Sequence, residues 1–390
     1  MKSRVETTLN LIAERLKGHR SEDSTLMGEQ GGIILFHVLY SKYYNVSSPD
    51  DDFQNLVQTF AEKSVEDIHP GFAIGRAGIS WLFNFLYYNE LISIEDKDLL
   101  CDEDPFLEKW ALANLKRGNA DFLHGPVGIA YYLLYSNTFS ARFFDDFFDD
   151  IERLMSSSEQ QMVPYYNSDT SSVESKKVNL SLSHGITAIL KLCLQCHRQN
   201  VCPDQAKQLA FKIIAFLKGH TNRPDQNETY FSNIVEKDQA SDYHTRLGWC
   251  YGDLSTAYLL YQAGLQFSDR ETTTFALQVL ENCAGRRDPA ITLVADCALC
   301  HGAAGIAHVF NKMWNLTRSP IFKEATDFWI LYILNHFQNL DWSLGYQRIN
   351  YEKGRYESDE GFLIGIAGIG LAMLSYIRND FDWDYIMMLN

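Results

Sequence analysis

Proline is scarce in this chain, nine in 390 residues, and so are cations: 34 Lys and Arg stand against 50 Asp and Glu, a formal charge of −16. That acidic balance argues against non-specific binding to nucleic acid or to an anionic membrane surface. No stretch approaches the roughly 18 uninterrupted apolar residues of a membrane helix, so direct membrane insertion is not expected. The opening MKSRVETTLNLIAERL is amphipathic and lacks the continuous apolar segment of a secretory signal, which predicts a cytoplasmic protein. Eight unevenly spaced cysteines do not make a disulfide framework and suit packing or metal ligation instead. Alternation of β-branched residues is rare too, and with so few helix breakers the chain reads as almost entirely α-helical. At 46% hydrophobic residues a large core is available, and length alone suggests two or three domains.

Self-similarity revises that count. A small-residue step recurs as Gly28-Glu-Gln-Gly31, Gly75-Arg-Ala-Gly78, Gly125-Pro-Val-Gly128, Gly185-Ile-Thr-Ala188, Gly252-Asp-Leu-Ser255, Gly302-Ala-Ala-Gly305 and Gly365-Ile-Ala-Gly368, at intervals of 47, 50, 60, 67, 50 and 63 residues. An apolar run of helical period follows each step, and more polar helical stretches lie between. An interval of about 50 residues fits one hairpin of an apolar inner helix and a polar-faced outer helix. Seven hairpins arranged radially predict an α/α toroid built from residues 1–390 as a single domain, with an open solenoid as the alternative. Glycines three apart would let backbones approach where helix starts converge, and converging N-termini would leave free amides favouring anions at the mouth. Ser156 to Lys177 and Thr221 to Ser241 break the repeat and read as loop insertions, near 156–177 and 221–241.

The residue just before the first glycine of each step differs around the ring. Steps one, two and seven carry Met27, Ile74 and Ile364; steps three to six carry His124, His184, Tyr251 and His301. One residue earlier, steps five and six both carry cysteine, Cys250 and Cys300. Four neighbouring repeats thus supply titratable groups against three that supply an apolar wall. Cys250, Cys300 and His301 make a plausible three-ligand zinc site at one mouth, leaving a fourth tetrahedral position open. Each cysteine alone reads more readily as an inert core residue, and it is their shared register that raises the pair as ligands. Two Cys-x-x-Cys-His segments, Cys193 to His197 and Cys297 to His301, also match covalent haem attachment, a reading at odds with the absence of an export signal.

HTRLGWCYGD (His244 to Asp253), ALCHGAAGIA (Ala298 to Ala307) and LSLSHGITA (Leu180 to Ala188), in a chain of seven such repeats, resemble the lanthionine synthetase C-like family. The resemblance spans essentially the whole chain and implies an α/α toroid around one zinc ion per chain. Its implied activity is that of a lantibiotic cyclase: a cysteine of a dehydrated precursor peptide adds to dehydroalanine or dehydrobutyrine, forming a (methyl)lanthionine thioether. The family's zinc ligands match Cys250, Cys300 and His301. Its acid/base histidine matches His184, its tyrosine Tyr251, its arginine Arg246 and its aspartate Asp121. Only Ala188 and Ser255 depart from the glycine pattern, and both are small. The resemblance further implies a lantibiotic dehydratase and an exporter as partners, and a place peripheral to a membrane-associated biosynthetic complex. A zinc-containing, non-cyclising protein that binds thiols such as glutathione is the alternative. A toroidal glycoside hydrolase would need a carboxylate pair, for which only Asp121 and Asp253 stand near the mouth register.

Overall fold

The computed structural model describes residues 1–19, 21–44, 51–63, 69–100, 104–167, 170–222, 229–236, 239–240, 244–338, 347–350 and 354–390. They divide into two compact units, one of Met1–Asp67, Arg246–Trp249 and Glu281–Asn390, the other of Ile68–Thr245 and Cys250–Leu280. The first contains α1 (Lys2–Leu16), α2 (Glu29–Tyr44) and α3 (Asp51–Lys63). The second contains α4 (Arg76–Tyr88), α5 (Ile94–Leu100), α6 (Asp104–Leu115), α7 (Pro126–Ser136), α8 (Phe143–Ser157), α9 (Ile186–Arg198), α10 (Pro203–Gly219) and α11 (Asp253–Gln266). After α12 (Arg270–Gly285), which runs from the second unit into the first, come α13 (Pro289–Thr292), α14 (Ala303–Thr317), α15 (Pro320–Gln338) and α16 (Ile366–Arg378). A 3₁₀ turn, Asp382–Met387, follows α16.

Every one of the seven glycine steps opens a helix: α2, α4, α7, α9, α11, α14 and α16 each begin one residue after the step's first glycine. These are the inner helices. Ile186–Cys196 of α9 and Ala303–Met313 of α14 are buried without interruption, because an inner helix has protein on all sides. Outer helices are amphipathic instead: α8 buries Phe143, Phe144, Phe147, Phe148 and Ile151 and turns Asp145, Asp146 and Asp149 outward. In the second unit α4 packs on α7, α7 on α9 and α9 on α11; in the first, α14 packs on α16 and α16 on α2.

The small-residue spacing has a more local cause than helices closing on an axis. A Cβ on Gly305 would lie 1.9 Å from the carbonyl oxygen of Leu299, six residues earlier, and one on Gly368 the same distance from that of Phe362. The loop before each helix folds back onto the helix's own first turn. At α14, the N–H groups of Ala303 and Ala304 donate to the carbonyls of Asp296 and Cys297, and at α16 those of Ile366 and Ala367 donate to Asp359 and Glu360. At α4 the donors are Arg76 and Ala77, the acceptors His69 and Pro70. The amides expected to stand free at these helix starts are therefore taken by the preceding loop, and the anion-attracting mouth is not observed there.

A second regularity accompanies the fold-back. Six residues before five of the step glycines stand His69, Asn119, Asn179, Asp296 and Asp359, and each side chain accepts the N–H two residues on at 2.8–3.0 Å. These are Asx-type turns, which let a short polar side chain fix a tight loop. The insertions carry strands. β1 (Tyr165–Asn167) pairs antiparallel with β2 (Ser172–Glu174) in the first insertion, and β3 (Lys177–Asn179) pairs with β4 (Ile234–Glu236), itself paired with β5 (Gln239–Ala240), in the second. The rest of the 221–241 stretch lies partly outside the described residues, at 223–228, 237–238 and 241. A further hairpin, β6 (Gln347–Asn350) with β7 (Arg355–Ser358), precedes α16.

Candidate active site and metal ligands

In the second unit the loops before α7 and α9 bring two sequence-predicted residues into contact. His184 Nδ1 lies 2.5 Å from Asp121 Oδ2, across 63 residues of sequence. The carboxylate can only accept, so Nδ1 carries the proton and Nε2 is left to exchange one. Asp121 is itself held from below: its N–H donates to Asn119 Oδ1, and its Oδ1 accepts the His124 N–H at 2.7 Å. The His184 N–H donates to Ser181 Oγ at 3.1 Å. The Asx turns thus set both members of the pair. Burial disfavours the His184 imidazolium, but the hydrogen bond and charge of Asp121, with a smaller contribution from Cys250, outweigh it and hold the histidine above its ordinary value.

Tyr251 stands on the far side of His184, ring centroids 6.2 Å apart, with Asn179 Nδ2 donating to its hydroxyl at 3.5 Å. Burial pushes the phenol's pKa up, so it stays protonated. The Cys250 carbonyl is fixed by the N–H and Oγ of Ser183, at 3.3 and 3.2 Å. Gly252 then adopts φ +86°, ψ −158°, a conformation open essentially to glycine alone, and launches α11. A hollow beside the pair is lined by Asp121, His184, Asn179 and Ile189, with Tyr165 and Tyr166 of β1. Those two tyrosines lie in a stretch the sequence presents only as a break in the repeat, and sequence reasoning did not place them beside the pair. Their signal was the paired aromatics before the Ser- and Asp-rich segment.

In the first unit the loop before α14 carries Cys300 and His301. The Cys300 N–H donates to Leu363 at 2.9 Å, and its carbonyl accepts the Trp249 N–H at 3.1 Å. The Trp249 indole is buried and donates to the Met387 carbonyl at 2.8 Å. Cys250 is the next residue along the chain from Trp249. His301 Nε2 lies 3.4 Å from Asp296 Oδ2, a carboxylate with no exposure. A half-buried thiol next to an imidazole is the donor chemistry that zinc selects. Arg246 begins the 246–249 segment of this same unit, which is bonded through Leu247 N–H to the Thr292 carbonyl.

The second Cys-x-x-Cys-His segment is a core element. Cys193 and Cys196 have no exposure, and burial drives both thiols far up in pKa. His197 is held by Gln266 at 3.1 Å. Buried thiols of this kind are inert, which excludes haem attachment there. A carboxylate pair is not available either: Asp253 is buried and spends both oxygens on the N–H groups of Tyr230 and Phe231.

The structure of nisin cyclase superposes on this one with a TM-score of 0.73, covering 100% of this chain and 97% of that one at 18% sequence identity. At that identity the likeness establishes the fold, an α/α toroid. The family model described as "Lanthionine synthetase C-like protein" matches residues 30–388, which take in every step from its second glycine or earlier and every site residue above. The chain belongs to the lanthionine synthetase C-like family.

Proposed function

We propose that this protein is a zinc-dependent peptide cyclase that joins cysteine thiols to dehydroalanine or dehydrobutyrine in a dehydrated precursor peptide, giving (methyl)lanthionine rings. The observation that carries the reading is the His184–Asp121 pair, a proton-transfer group with one nitrogen locked and its affinity for protons raised. The name of the matched structure, nisin cyclase, agrees with this chemistry. Cys250, Cys300 and His301 are the residues that would hold the metal, one ion per chain. Zinc bound there would supply an open coordination position that favours the thiolate of a peptide cysteine at neutral pH.

The reaction conserves atoms. The thiol gives up its proton to His184 Nε2, its sulfur bonds to the β-carbon of the dehydro residue as the π pair moves toward the α-carbon and its carbonyl oxygen, and a proton returned to the α-carbon replaces the one lost from sulfur. His184 is placed to give that proton from Nε2, since Asp121 keeps Nδ1 protonated and stabilises the cation between transfers. Tyr251, a neutral phenol, is proposed to donate a hydrogen bond to the substrate, and Arg246 to offset enolate charge. Tyr165 and Tyr166 form an apolar wall for side chains next to the reacting residue. The seven-repeat chain is proposed to act as one toroid domain in the cytoplasm. A dehydratase supplying the substrate and an exporter removing the product are its proposed partners.

The test is direct. Purified protein is assayed for bound zinc and incubated with dehydrated cysteine-containing peptides. Cyclisation appears as loss of alkylatable thiol with no change of mass. Protein that holds about one zinc yet consumes no thiol on any of several peptides would replace this reading by the thiol-binding one. The His184→Ala variant is expected to keep zinc and lose turnover.

A further inference from the structure

His124 occupies the third repeat's place in the mouth register, and the histidine–aspartate pair makes no use of its side chain. Its backbone is held tightly. The N–H donates to Asp121 Oδ1 at 2.7 Å, and a Cβ on Gly71 would lie 2.9 Å from the His124 Cα, so the neighbouring loop packs directly against it. The ring lies 6.0 Å from that of His184, centroid to centroid, with the planes 30° apart. His184 and His124 therefore hang from the two oxygens of one carboxylate, the first by its side chain and the second by its main chain.

The two ring nitrogens of His124 differ in surroundings. Nδ1 is hidden from solvent and has no hydrogen-bond partner among the described residues. Nε2 likewise has no partner among the described residues, and it is not hidden. A hidden lone pair is cheaper to leave unpaired than a hidden N–H, so the proton belongs on Nε2, at the open side. Adding a second proton would bury an N–H without an acceptor as well as a charge. In keeping with this, burial and the neighbouring His184 and His69 outweigh Asp121 and hold the imidazole's proton affinity below its ordinary value. The result is a rigid, uncharged N–H donor beside the acid/base histidine, kept at a cost in stability that packing alone does not explain.

We propose that His124 is a substrate-binding residue whose Nε2–H donates to the carbonyl oxygen of the dehydro residue, the oxygen onto which charge moves as sulfur adds to the β-carbon. The inference rests on the cyclase reading and assigns one further role within it: His184 moves the proton and His124 meets the oxygen. A neutral donor fits the task, because a cation there would compete with His184 for its own proton.

Two nearly isosteric variants separate this role from a structural one. The His124→Met variant removes the donor and the orphaned nitrogen together; His124→Gln keeps an N–H. With wild-type protein active on a dehydrated peptide, kcat of the Met variant is expected to fall on the order of 100-fold, with KM little changed and thermal stability equal or higher. The Gln variant should recover to within about tenfold of wild type. A Met variant within twofold of wild-type kcat would overturn the inference and leave the cyclase reading intact. Failure of both variants to fold would overturn it equally, by making His124 a structural residue. If wild-type protein shows no thiol consumption on any peptide, the cyclase reading falls first and this role with it.

Discussion

Asp384→Asn is the substitution with the most calculable outcome. Asp384 has no exposed surface, and its Oδ2 receives Lys312 Nζ at 2.5 Å and His308 Nε2 at 2.9 Å, both from α14. His308 is fully buried and Lys312 nearly so. Burial penalises the Asp384 carboxylate, but the Lys312 charge and the His308 hydrogen bond outweigh it and hold the carboxyl below its ordinary range. Burial keeps His308 below its own ordinary value, so the group is one ion pair with a neutral histidine donating to it. The Asn variant strands a buried ammonium, a change that costs about 3–5 kcal/mol when one partner of a buried pair is removed. For 390 residues unfolding together, at about 2.1 cal/mol/K per residue, the melting temperature should drop by about 4–6 °C. Calorimetry and urea unfolding both read it. The pH dependence follows from the same shifts. Both groups have lowered folded-state values, so their contributions are present at neutral pH and are lost on acidification. Protonation of the unfolded state's histidine opens the loss below about pH 6.5, and the carboxyl's own loss follows below about pH 4. The gap between wild type and variant should accordingly narrow at the acid end. A shift under 1 °C at pH 7, or a gap that does not change with pH, would refute the argument. Replacing both partners, Asp384→Leu with Lys312→Met, should cost less than the Asn change alone.

Asp121→Asn should leave the fold intact and lower cyclase turnover on the order of 100-fold; titration of His184 by NMR should show its pKa displaced downward, and an unmoved value would remove Asp121 from its proposed role. Trp249→Phe deletes the indole donor to the Met387 carbonyl and leaves a buried acceptor unpaired, at about 1–3 kcal/mol. Because Trp249 precedes Cys250 and bonds to Cys300, zinc release to a chelator should quicken; an unchanged rate would mean this anchor does not govern the ligands. Gly252→Ala forces a side chain into φ +86°, costing at least about 1–3 kcal/mol, and should depress both melting temperature and turnover by displacing Tyr251.

What was legible in the sequence is what depends on near neighbours. Apolar runs of helical period sit where the inner helices are, and all seven glycine steps mark helix starts. The reason for the second glycine was less visible. It makes room for a carbonyl six residues earlier in the same loop, not for another helix, and the Asn, Asp or His six residues before the first glycine of five of the seven steps was the available clue. The hairpins in the insertions stayed hidden because strands of two or three residues carry too little pattern to outweigh a polar composition.

The amino-acid sequence by itself determined the helix starts and which residue types stand just before each of them, since both are properties of residue type at a fixed local spacing. Tertiary structure alone decided which groups meet. Asp121 and His184 are 63 residues apart and are hydrogen-bonded because the two Asx-turn loops that carry them meet. Asp384 reaches His308 across 76 residues because the 3₁₀ turn after α16 packs against α14. Only the folded chain could show that His124 has one nitrogen sealed and the other open, because burial of a single atom depends on every element packed around it.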